Sequence, residues 1–372
     1  MKILAIESSC DETAASVIEG RGEQVTVLSN IVSSQIEIHQ KYGGVIPEVA
    51  AREHVLNILP VINEALLKAG IKPSEAGKKL AAIAVTAGPG LITSLSVGVE
   101  TAKTLAYGWK LPLIDTNHIA GHIYANWILD ESKKENLKSK KKDKIKFPAV
   151  IMTVSGGHNM LVLMKSHLDY EIIGDTLDDA AGEAFDKGAK MLELGYPGGP
   201  AVAAAAASIS NYELTINNSV IKLPRPMISS ANFNFSFSGL KTALLYALKK
   251  DKNWRKKIPA YAAEYQQAIV DTLIAKTIKA AKKYQAKTVL LAGGVSANKE
   301  LRSQLAKAVN DKLPEVLFGL PDLKYTTDNA AMIGAAAYFL ARKKKYIKWS
   351  AIKTNPNLDL SSVILEGASS DR

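Results

Sequence analysis

One series of predicted elements occurs twice in this chain of 372 residues, and it limits the fold more than any single motif does. Residues 2–7 and 14–18 are short apolar runs on either side of a polar turn, which is the pattern of a β-hairpin. Residues 149–154 and 160–164 repeat this pattern around a second polar turn. The two halves of the chain therefore begin in the same way.

Each predicted hairpin is followed by a strand, a Gly-rich turn and an amphipathic helix. The first set covers residues 80–85, 88–90 and 91–109, and the second covers residues 288–292, 293–298 and 299–309. A Gly-rich turn that enters a helix points backbone N–H groups and the positive end of the helix dipole at an anion. The repeat predicts two related α/β lobes that grip a nucleotide between them.

A candidate metal site begins with His118 and His122. On a helix this spacing puts both imidazoles on one face, with their Cβ atoms roughly 5–6 Å apart. Such a pair can bind one metal ion, or it can be two polar residues at a helix end. Asp328 is a possible third ligand, and two His with one carboxylate favour Fe²⁺, with Zn²⁺ next. Zinc proteases have Glu directly after the first His, whereas this chain has Ile119, which argues against protease chemistry.

The net charge of +11 favours a polyanionic partner, nucleic acid above all. Residues 131–146 hold eight Lys against three acidic residues, and residues 342–345 with Lys348 form a second basic cluster. The first segment is either a solvated surface loop or a binding element, and the loop is the simpler interpretation.

Cysteine usage and hydropathy indicate a cytoplasmic protein. Cys10 is the single cysteine, so no intrachain disulfide can form and a reducing compartment is expected. The apolar run that ends at Glu7 is too short for a signal peptide, and no apolar segment is long enough to span a bilayer. We expect no membrane partner.

A series of motifs extends from Lys2 to about Tyr338. Its members are ESSCDET (7–13), GGVIPE (43–48), GPG (88–90), NHIAGH (117–122), VSGGH (154–158), DDAAGEAFD (178–186), YPGG (196–199), FSFSGLK (235–241), AGGVSAN (292–298) and TDNA (327–330). In this order they resemble the tRNA N6-adenosine threonylcarbamoyltransferases, the TsaD family, formerly described as O-sialoglycoprotein endopeptidases. The first motif resembles the bacterial form of the family.

The resemblance implies a fold, a reaction and partners. The fold is α/β, with two duplicated ribonuclease-H-like lobes of the actin/Hsp70/sugar-kinase (ASKHA) type and a cleft between them. The reaction transfers a threonylcarbamoyl group from L-threonylcarbamoyladenylate to N6 of the adenosine next to the anticodon, in tRNAs that read codons beginning with A, and releases AMP. The partners are tRNA, an inactive paralogue (TsaB) and a P-loop ATPase (TsaE).

The resemblance also assigns site residues. It implies that a metal ion, Fe²⁺ or Zn²⁺, is held by His118, His122 and Asp328. The loop that cradles the phosphate and carbamoyl end of the adenylate is implied to consist of Thr153, Val154, Ser155, Gly156 and Gly157. Contacts to the nucleoside are implied for Asp186, Gly199 and Asn298.

Domain boundaries follow from the repeat and the composition. We predict a first lobe over residues 1–129, a Lys-rich insertion or linker over 130–146, a second lobe over 147–328 and a C-terminal tail over 346–372. We expect the helix around residues 329–345 to pack back on the first lobe.

Two questions stay open at the level of sequence. Asp11 and Glu12 lie at the first hairpin tip, where they are either a general base or water-orienting pair, or carboxylates that stabilise the turn. The alternative functions are an ATP-dependent ASKHA kinase and an actin-like nucleotide switch. The kinase would need a catalytic acid and phosphate loops but no His-His-Asp metal site, and the switch predicts slow hydrolysis without group transfer.

Overall fold

The computed structural model describes residues 1–129, 145–208 and 221–361. Residues 130–144 of the predicted Lys-rich insertion and residues 362–372 of the predicted tail lie outside the described residues. The chain divides into two compact units. The first consists of Met1–Lys144, Ser166–Tyr170 and Pro321–Arg372, and the second of Ile145–Lys165 and Glu171–Leu320.

The first unit begins with a five-stranded mixed sheet. The strands of this sheet are β1 (Lys2–Glu7), β2 (Glu12–Arg21), β3 (Gln24–Ser34), β4 (Ala82–Gly88) and β5 (Leu113–Asn117). The α-helices between Met1 and Tyr124 are α1 (Ile36–Gln40), α2 (Pro47–Lys68), α3 (Ala76–Lys79), α4 (Ile92–Trp109) and α5 (His118–Tyr124). The strand order is β3-β2-β1-β4-β5, with β1 antiparallel to β2 and parallel to β4.

The second unit is built on another five-stranded sheet. Its strands are β6 (Ala149–Val154), β7 (Asn159–Ser166), β8 (Asp169–Asp175), β9 (Thr288–Ala292) and β10 (Leu317–Gly319), and its helices are α6 (Ala181–Met191), α7 (Gly198–Ala207), α8 (Ser238–Lys250), α9 (Ile258–Lys283) and α10 (Lys299–Lys312). The order β10-β9-β6-β7-β8 has β6 antiparallel to β7 and parallel to β9.

Both sheets therefore place their strands in the same order. In each, a central strand pairs with the next strand of its hairpin on one side and with a later, parallel strand on the other. This confirms the α/β duplication predicted from the repeated hairpin and strand–turn–helix series.

Helix α11 (Ala330–Arg342) belongs to the first unit. Leu4 and Ile6 of β1 pack into the core that α2 and α4 cover. On the other face of the sheet, Gly334 of α11 lies so close to Ala5 and Ile18 that an added Cβ would be 2.9 Å from the Ile18 side chain. This packing fixes the start of α11, and with it the residue just before its N-cap, Asp328.

The helices of the described ranges include none that is both long and apolar enough to cross a membrane.

Candidate functional site

Helix α5 holds His118 and His122 on one face. Its N-cap is Asn117, whose Oδ1 accepts hydrogen bonds from the amides of Ile119 (2.9 Å) and Ala120 (3.1 Å). The two imidazole rings meet edge to face, with centroids 4.7 Å apart. Both are buried, with 7% of His118 and 1% of His122 exposed.

Asp328 faces both histidines. Its Oδ1 lies 3.1 Å from Nε2 of His122 and 3.5 Å from Nε2 of His118. One ligand atom from each of the three residues lies within 4.8 Å of the others, and the Asp328 side chain is 23% exposed. Three residues from distant parts of the sequence thus form one donor cluster within the first unit.

Glu7 lies behind His118, on the side away from Asp328. Its Oε2 is 3.1 Å from Nδ1 of His118, and the hydroxyl of Ser9 is also 3.1 Å from that nitrogen. Glu7 is fully buried at the end of β1. The hydroxyl of Thr86 donates to Glu7 Oε2 over 2.6 Å, and the Ser9 amide donates to Oε1 over 2.5 Å.

The charges in this cluster stabilise one another. Burial raises the pKa of Asp328, but His118 and His122 outweigh burial and hold that pKa far below its usual value. Burial also raises the pKa of Glu7, and His118 again brings it below its usual value. For His118, burial lowers the pKa, but the carboxylates of Asp328 and Glu7 raise it well above the usual value. The two carboxylates on either side of His118 therefore favour the charged form of its imidazole.

The donor cluster fits a divalent metal ion. Nδ1 of His122 is buried and has no hydrogen-bond partner among the residues that the structure describes, and Nε2 has only its close approach to Asp328 Oδ1 at 3.1 Å. Buried polar atoms are normally paired, so an unpaired imidazole facing a carboxylate suits an additional ligand. Two imidazoles and one carboxylate leave coordination positions open, which is typical of catalytic iron or zinc sites.

Asp11 and Glu12 lie in the same unit as the His-His-Asp cluster. The hydroxyl of Ser34 donates to Glu12 Oε1 over 3.3 Å. Burial raises the pKa of Glu12 well above its usual value, and the charges of Asp328 and Asp11 add to the effect. Glu12 is thus within electrostatic reach of Asp328. In the same turn, the amide of Ser9 donates a hydrogen bond to Glu7 Oε1.

The predicted phosphate loop is the turn between β6 and β7 in the second unit. Thr153 and Val154 end β6 and are buried, whereas Gly156 and Gly157 are exposed. Among the described residues, no atom lies within 4 Å of a Cβ added at Gly156 or Gly157, so the main chain there is open to a ligand.

Helix α6 packs directly against this turn. The amide of Gly182 donates to the oxygen of Ser155 (3.2 Å), and the amide of Glu183 donates to that of Gly156 (3.0 Å). A Cβ at Gly182 would be 2.5 Å from the Ser155 oxygen, so only glycine permits this approach. The amides of Gly182 and Glu183 in the first turn of α6 are therefore engaged by this turn.

The three predicted nucleoside contacts are placed differently. Asp186 Oδ1 accepts a hydrogen bond from the Gly198 amide (2.7 Å) at the start of α7. Burial raises the pKa of Asp186, the Gly198 amide lowers it and Glu183 raises it, with a net increase. At Gly199 an added Cβ would meet no described atom within 4 Å. The Asn298 side chain caps α10 through the Leu301 amide (3.0 Å) and donates to Gln266 Oε1 (2.7 Å).

The structure brings the predicted site residues together as two groups. His118, His122, Asp328, Asp11 and Glu12 belong to the first unit, and the predicted adenylate contacts belong to the second. Sequence reasoning missed Glu7 as a partner of His118, and it also missed the hydrogen bonds of Asp178 in the second unit. The carboxylate of Asp178 accepts hydrogen bonds from the hydroxyls of Ser236 and Ser238 and from the amide of Phe237 (2.8 Å). A single acidic residue at the end of an apolar strand was the available signal for Glu7.

Comparison with known proteins shows the class of protein first. The crystal structure of HypF from T. kodakarensis superposes on 93% of this chain with a TM-score of 0.57 at 13% sequence identity. The chain spans 49% of that HypF chain, and the likeness shows the fold alone. It agrees with the ASKHA-type α/β fold predicted from the sequence.

The family follows from sequence similarity. The profile described as TsaD, tRNA N6-adenosine threonylcarbamoyltransferase, matches residues 26–335. Proteins of that name are 48% identical over 339 residues in Dehalococcoides mccartyi (91% of this chain, 93% of the relative) and 46% identical over 360 residues in Geobacillus kaustophilus (96% of each). The one from Bacillus subtilis is 43% identical (97% of this chain, 96% of the relative). The chain belongs to the TsaD family and is a transferase that modifies tRNA.

Proposed function

We propose that this chain transfers the threonylcarbamoyl group of L-threonylcarbamoyladenylate to N6 of the adenosine next to the anticodon, in tRNAs that read codons beginning with A, and releases AMP. Membership of the family supports the reaction class. The observation that supports a metal-assisted reaction is the clustering of His118, His122 and Asp328, whose ligand atoms lie within 4.8 Å of one another.

His118, His122 and Asp328 would hold the ion, with Fe²⁺ first and Zn²⁺ second in preference. When bound, a divalent ion in such a site supplies Lewis-acid stabilisation of an anionic substrate oxygen. The exocyclic adenine amine is a poor nucleophile, so the main task of the protein is to position it against the carbamoyl carbon. AMP leaves with its phosphate already ionised, and no strong general acid is needed.

The turn after β6 is proposed to receive the phosphate and carbamoyl end of the adenylate. The exposed main chain of Gly156 and Gly157 can present N–H groups to negative charge, while the buried Thr153 and Val154 anchor the turn on the sheet. Ser155 stabilises this turn in two ways. Its main-chain oxygen accepts a hydrogen bond from the start of α6, and its hydroxyl accepts one from the His158 amide (3.2 Å).

Asp186, Gly199 and Asn298 are proposed to contact the nucleoside. Asp186 has one oxygen on the Gly198 amide, and its second oxygen can accept from a ribose hydroxyl. Gly199 has room beside it for a ribose or base. Asn298 uses its oxygen on the Leu301 amide and one N–H on Gln266, which leaves its second N–H as the donor for a ligand.

Glu12 is the stronger of the two candidates for a general base. A carboxylate serves best as a base when its pKa is near the working pH, and burial together with Asp328 and Asp11 raises the pKa of Glu12. The negative charge of Asp11 would contribute to the raised pKa of Glu12.

A basic surface on the first unit supports tRNA as the partner. Between Arg342 and Lys353 the chain has six basic residues and no acidic residue. Lys343, Lys344 and Lys348 are exposed, and Trp349 (45% exposed) contacts Tyr107 (67% exposed) edge to face. Cations beside exposed aromatic rings are typical of surfaces that bind RNA. We also propose TsaB and TsaE as protein partners and the cytoplasm as the location.

The test is a transfer assay. The chain, alone and with TsaB and TsaE, is incubated with threonylcarbamoyladenylate and an unmodified tRNA, and its nucleosides are analysed by mass spectrometry. We expect N6-threonylcarbamoyladenosine, and none with a transcript that has guanosine at the target position. Phosphorylation of a small molecule by ATP, or ATP hydrolysis without any group transfer, would instead support the kinase or the nucleotide switch.

A further inference from the structure

We infer that Glu7 is a positioning residue for the proposed metal centre. It holds His118 in the tautomer with a proton on Nδ1, so that the lone pair of Nε2 faces Asp328 and His122. The inference rests on the proposed metal function and assigns a role to a residue outside the three ligands.

The geometry places Glu7 and Asp328 on opposite nitrogens of one ring. Glu7 Oε2 is 3.1 Å from Nδ1 of His118, and Asp328 Oδ1 is 3.5 Å from Nε2. A charged carboxylate can only accept hydrogen bonds, so Nδ1 must donate to it. A neutral imidazole has one N–H, and therefore Nε2 carries the free lone pair that a metal ion requires.

Glu7 is itself held by donors. The Ser9 amide donates to Oε1 (2.5 Å), and the Thr86 hydroxyl donates to Oε2 (2.6 Å), beside His118 Nδ1. A carboxylate can accept all three bonds. Glutamine cannot, because its NH₂ group would face either the Ser9 amide or the Thr86–His118 side. In the second orientation it would donate to Nδ1 and favour the tautomer protonated at Nε2, which cannot bind the metal through that atom.

The other contacts of the two histidines do not set the tautomer. The Ser9 hydroxyl is 3.1 Å from His118 Nδ1, but a hydroxyl can donate or accept and so permits either tautomer. Nδ1 of His122 is buried without a hydrogen-bond partner among the described residues. Glu7 therefore makes His118 the oriented ligand of the pair.

Glu7 also affects how strongly the His118 imidazole binds the metal ion. A carboxylate that accepts from a metal-binding histidine makes the imidazole a better donor, and loss of such a partner typically lowers metal affinity about 10–100-fold. Together with Asp328, Glu7 brings two negative charges to the site, which balance the charge of a divalent ion.

The test measures zinc binding and the histidine tautomer in the full chain. Zinc affinity is measured by competition with a chromophoric chelator for the wild type and for Glu7→Gln, Thr86→Val and Ser9→Ala. We expect the dissociation constant to rise about 10–100-fold in Glu7→Gln. It should rise less in Thr86→Val, which removes one support of Glu7, and stay close to the wild-type value in Ser9→Ala.

The tautomer is read from ¹H–¹⁵N correlation spectra of the zinc-loaded, ¹⁵N-histidine-labelled protein. We expect His118 to be protonated at Nδ1 in the wild type, with an Nδ1–H resonance that the hydrogen bond to the Glu7 carboxylate shifts downfield and that moves upfield in Glu7→Gln. A merely structural Glu7 would leave that resonance unchanged. Protonation at Nε2, or equal zinc affinity of the wild type and Glu7→Gln, would overturn the role of Glu7 alone. A wild-type protein that binds no zinc, iron or cobalt would overturn the proposed metal function and the role of Glu7 with it.

Discussion

The side chain of Asn117 ties the histidine helix to the C-terminal segment, because its Nδ2 donates to the main-chain oxygen of Leu358 over 3.1 Å. Its Oδ1 caps α5 at the same time. Two main-chain hydrogen bonds also join this segment to residues 87–90. The Asn355 amide donates to the oxygen of Ala87, and the Gly90 amide donates to the oxygen of Pro356. One amide side chain thus connects the start of α5 to residues far along the chain.

This double use of Asn117 predicts a graded response to mutation. Asn117→Ala removes both the cap and the bond to Leu358, and we expect it to lower the free energy of unfolding by about 1–2 kcal/mol. Asn117→Asp keeps the oxygen that caps α5 and loses only the N–H donor to Leu358. It should therefore lower the free energy of unfolding by less than Asn117→Ala does. Urea unfolding of the metal-free protein measures both. Equal losses in the two variants would show that the bond to Leu358, not the cap, stabilises α5.

The proposed metal centre predicts a loss of bound metal without a loss of fold. In His118→Ala/His122→Ala we expect iron or zinc to fall from near one equivalent to background, because two of the three ligands are gone. His158→Ala, in the second unit, is the matched control and should keep its metal. Elemental analysis of purified protein measures the content. A double variant with wild-type metal content would remove His118 and His122 from the site.

The proposed nucleoside contacts predict that the AMP affinity and the free energy of unfolding can be changed separately. Asn298→Asp keeps the oxygen that caps α10 and loses the N–H donors, so AMP binding should weaken by about 1–3 kcal/mol if a buried partner is left unsatisfied. Asn298→Ala should weaken AMP binding similarly and also lower the free energy of unfolding by about 1 kcal/mol through loss of the cap. Calorimetric titration with AMP and urea unfolding give the two quantities. Unchanged AMP affinity in both variants would exclude Asn298 from the site.

Buried strands were the part of the fold that the sequence predicted best. β1 (Lys2–Glu7), β6 (Ala149–Val154) and β9 (Thr288–Ala292) have the predicted bounds. All three lie inside their sheets and have nearly unbroken apolar sequences, as strands buried on both faces do. β3 (Gln24–Ser34) and β8 (Asp169–Asp175) were not predicted. They are edge strands with mixed composition, so polar and apolar residues give no clear period.

Local spacing revealed only part of the candidate site. His118 and His122 are visible as a pair because a helix places residues four apart on one face. Asp328 was predicted only as a possible third ligand until the family resemblance implied the same role, since no local pattern relates it to the histidines. Glu7 was missed because its partner His118 lies 111 residues further along the chain, and only the β1–β4 sheet and α5 bring the two together. Residues joined by the fold alone leave no periodic signal.

Asp178 predicts a pH-dependent contribution to stability. Burial raises its pKa, but hydrogen bonds from Ser236, Ser238 and the Phe237 amide outweigh burial and lower it. A folded-state pKa below the unfolded value of about 3.9 means that the stabilisation is complete above roughly pH 5 and is lost as the pH falls through the folded-state pKa. Asp178→Asn should therefore lower the free energy of unfolding at pH 7 by less than about 1 kcal/mol, because Asp178 is exposed and water screens its charge, and have little effect near pH 2. Urea unfolding across this pH range measures the difference, and a loss that does not change with pH would contradict the charge-based account.

The basic segment after α11 predicts salt-dependent binding of tRNA. If Lys343 and Lys344 contact phosphates, each contact releases counterions, and Lys343→Glu/Lys344→Glu should reduce the slope of log affinity against log salt by about 0.7–0.9 per lost contact. Trp349→Ala should weaken binding by about 1–3 kcal/mol if its exposed ring stacks on a base.

Lys307→Glu/Lys312→Glu on α10 makes the same change in net charge at exposed positions of the second unit, so it controls for long-range attraction. Fluorescence anisotropy with labelled tRNA at several salt concentrations measures all four proteins. Equal slopes for the two charge-reversal variants would show that tRNA responds to the total charge of the chain and not to the segment beside Trp349.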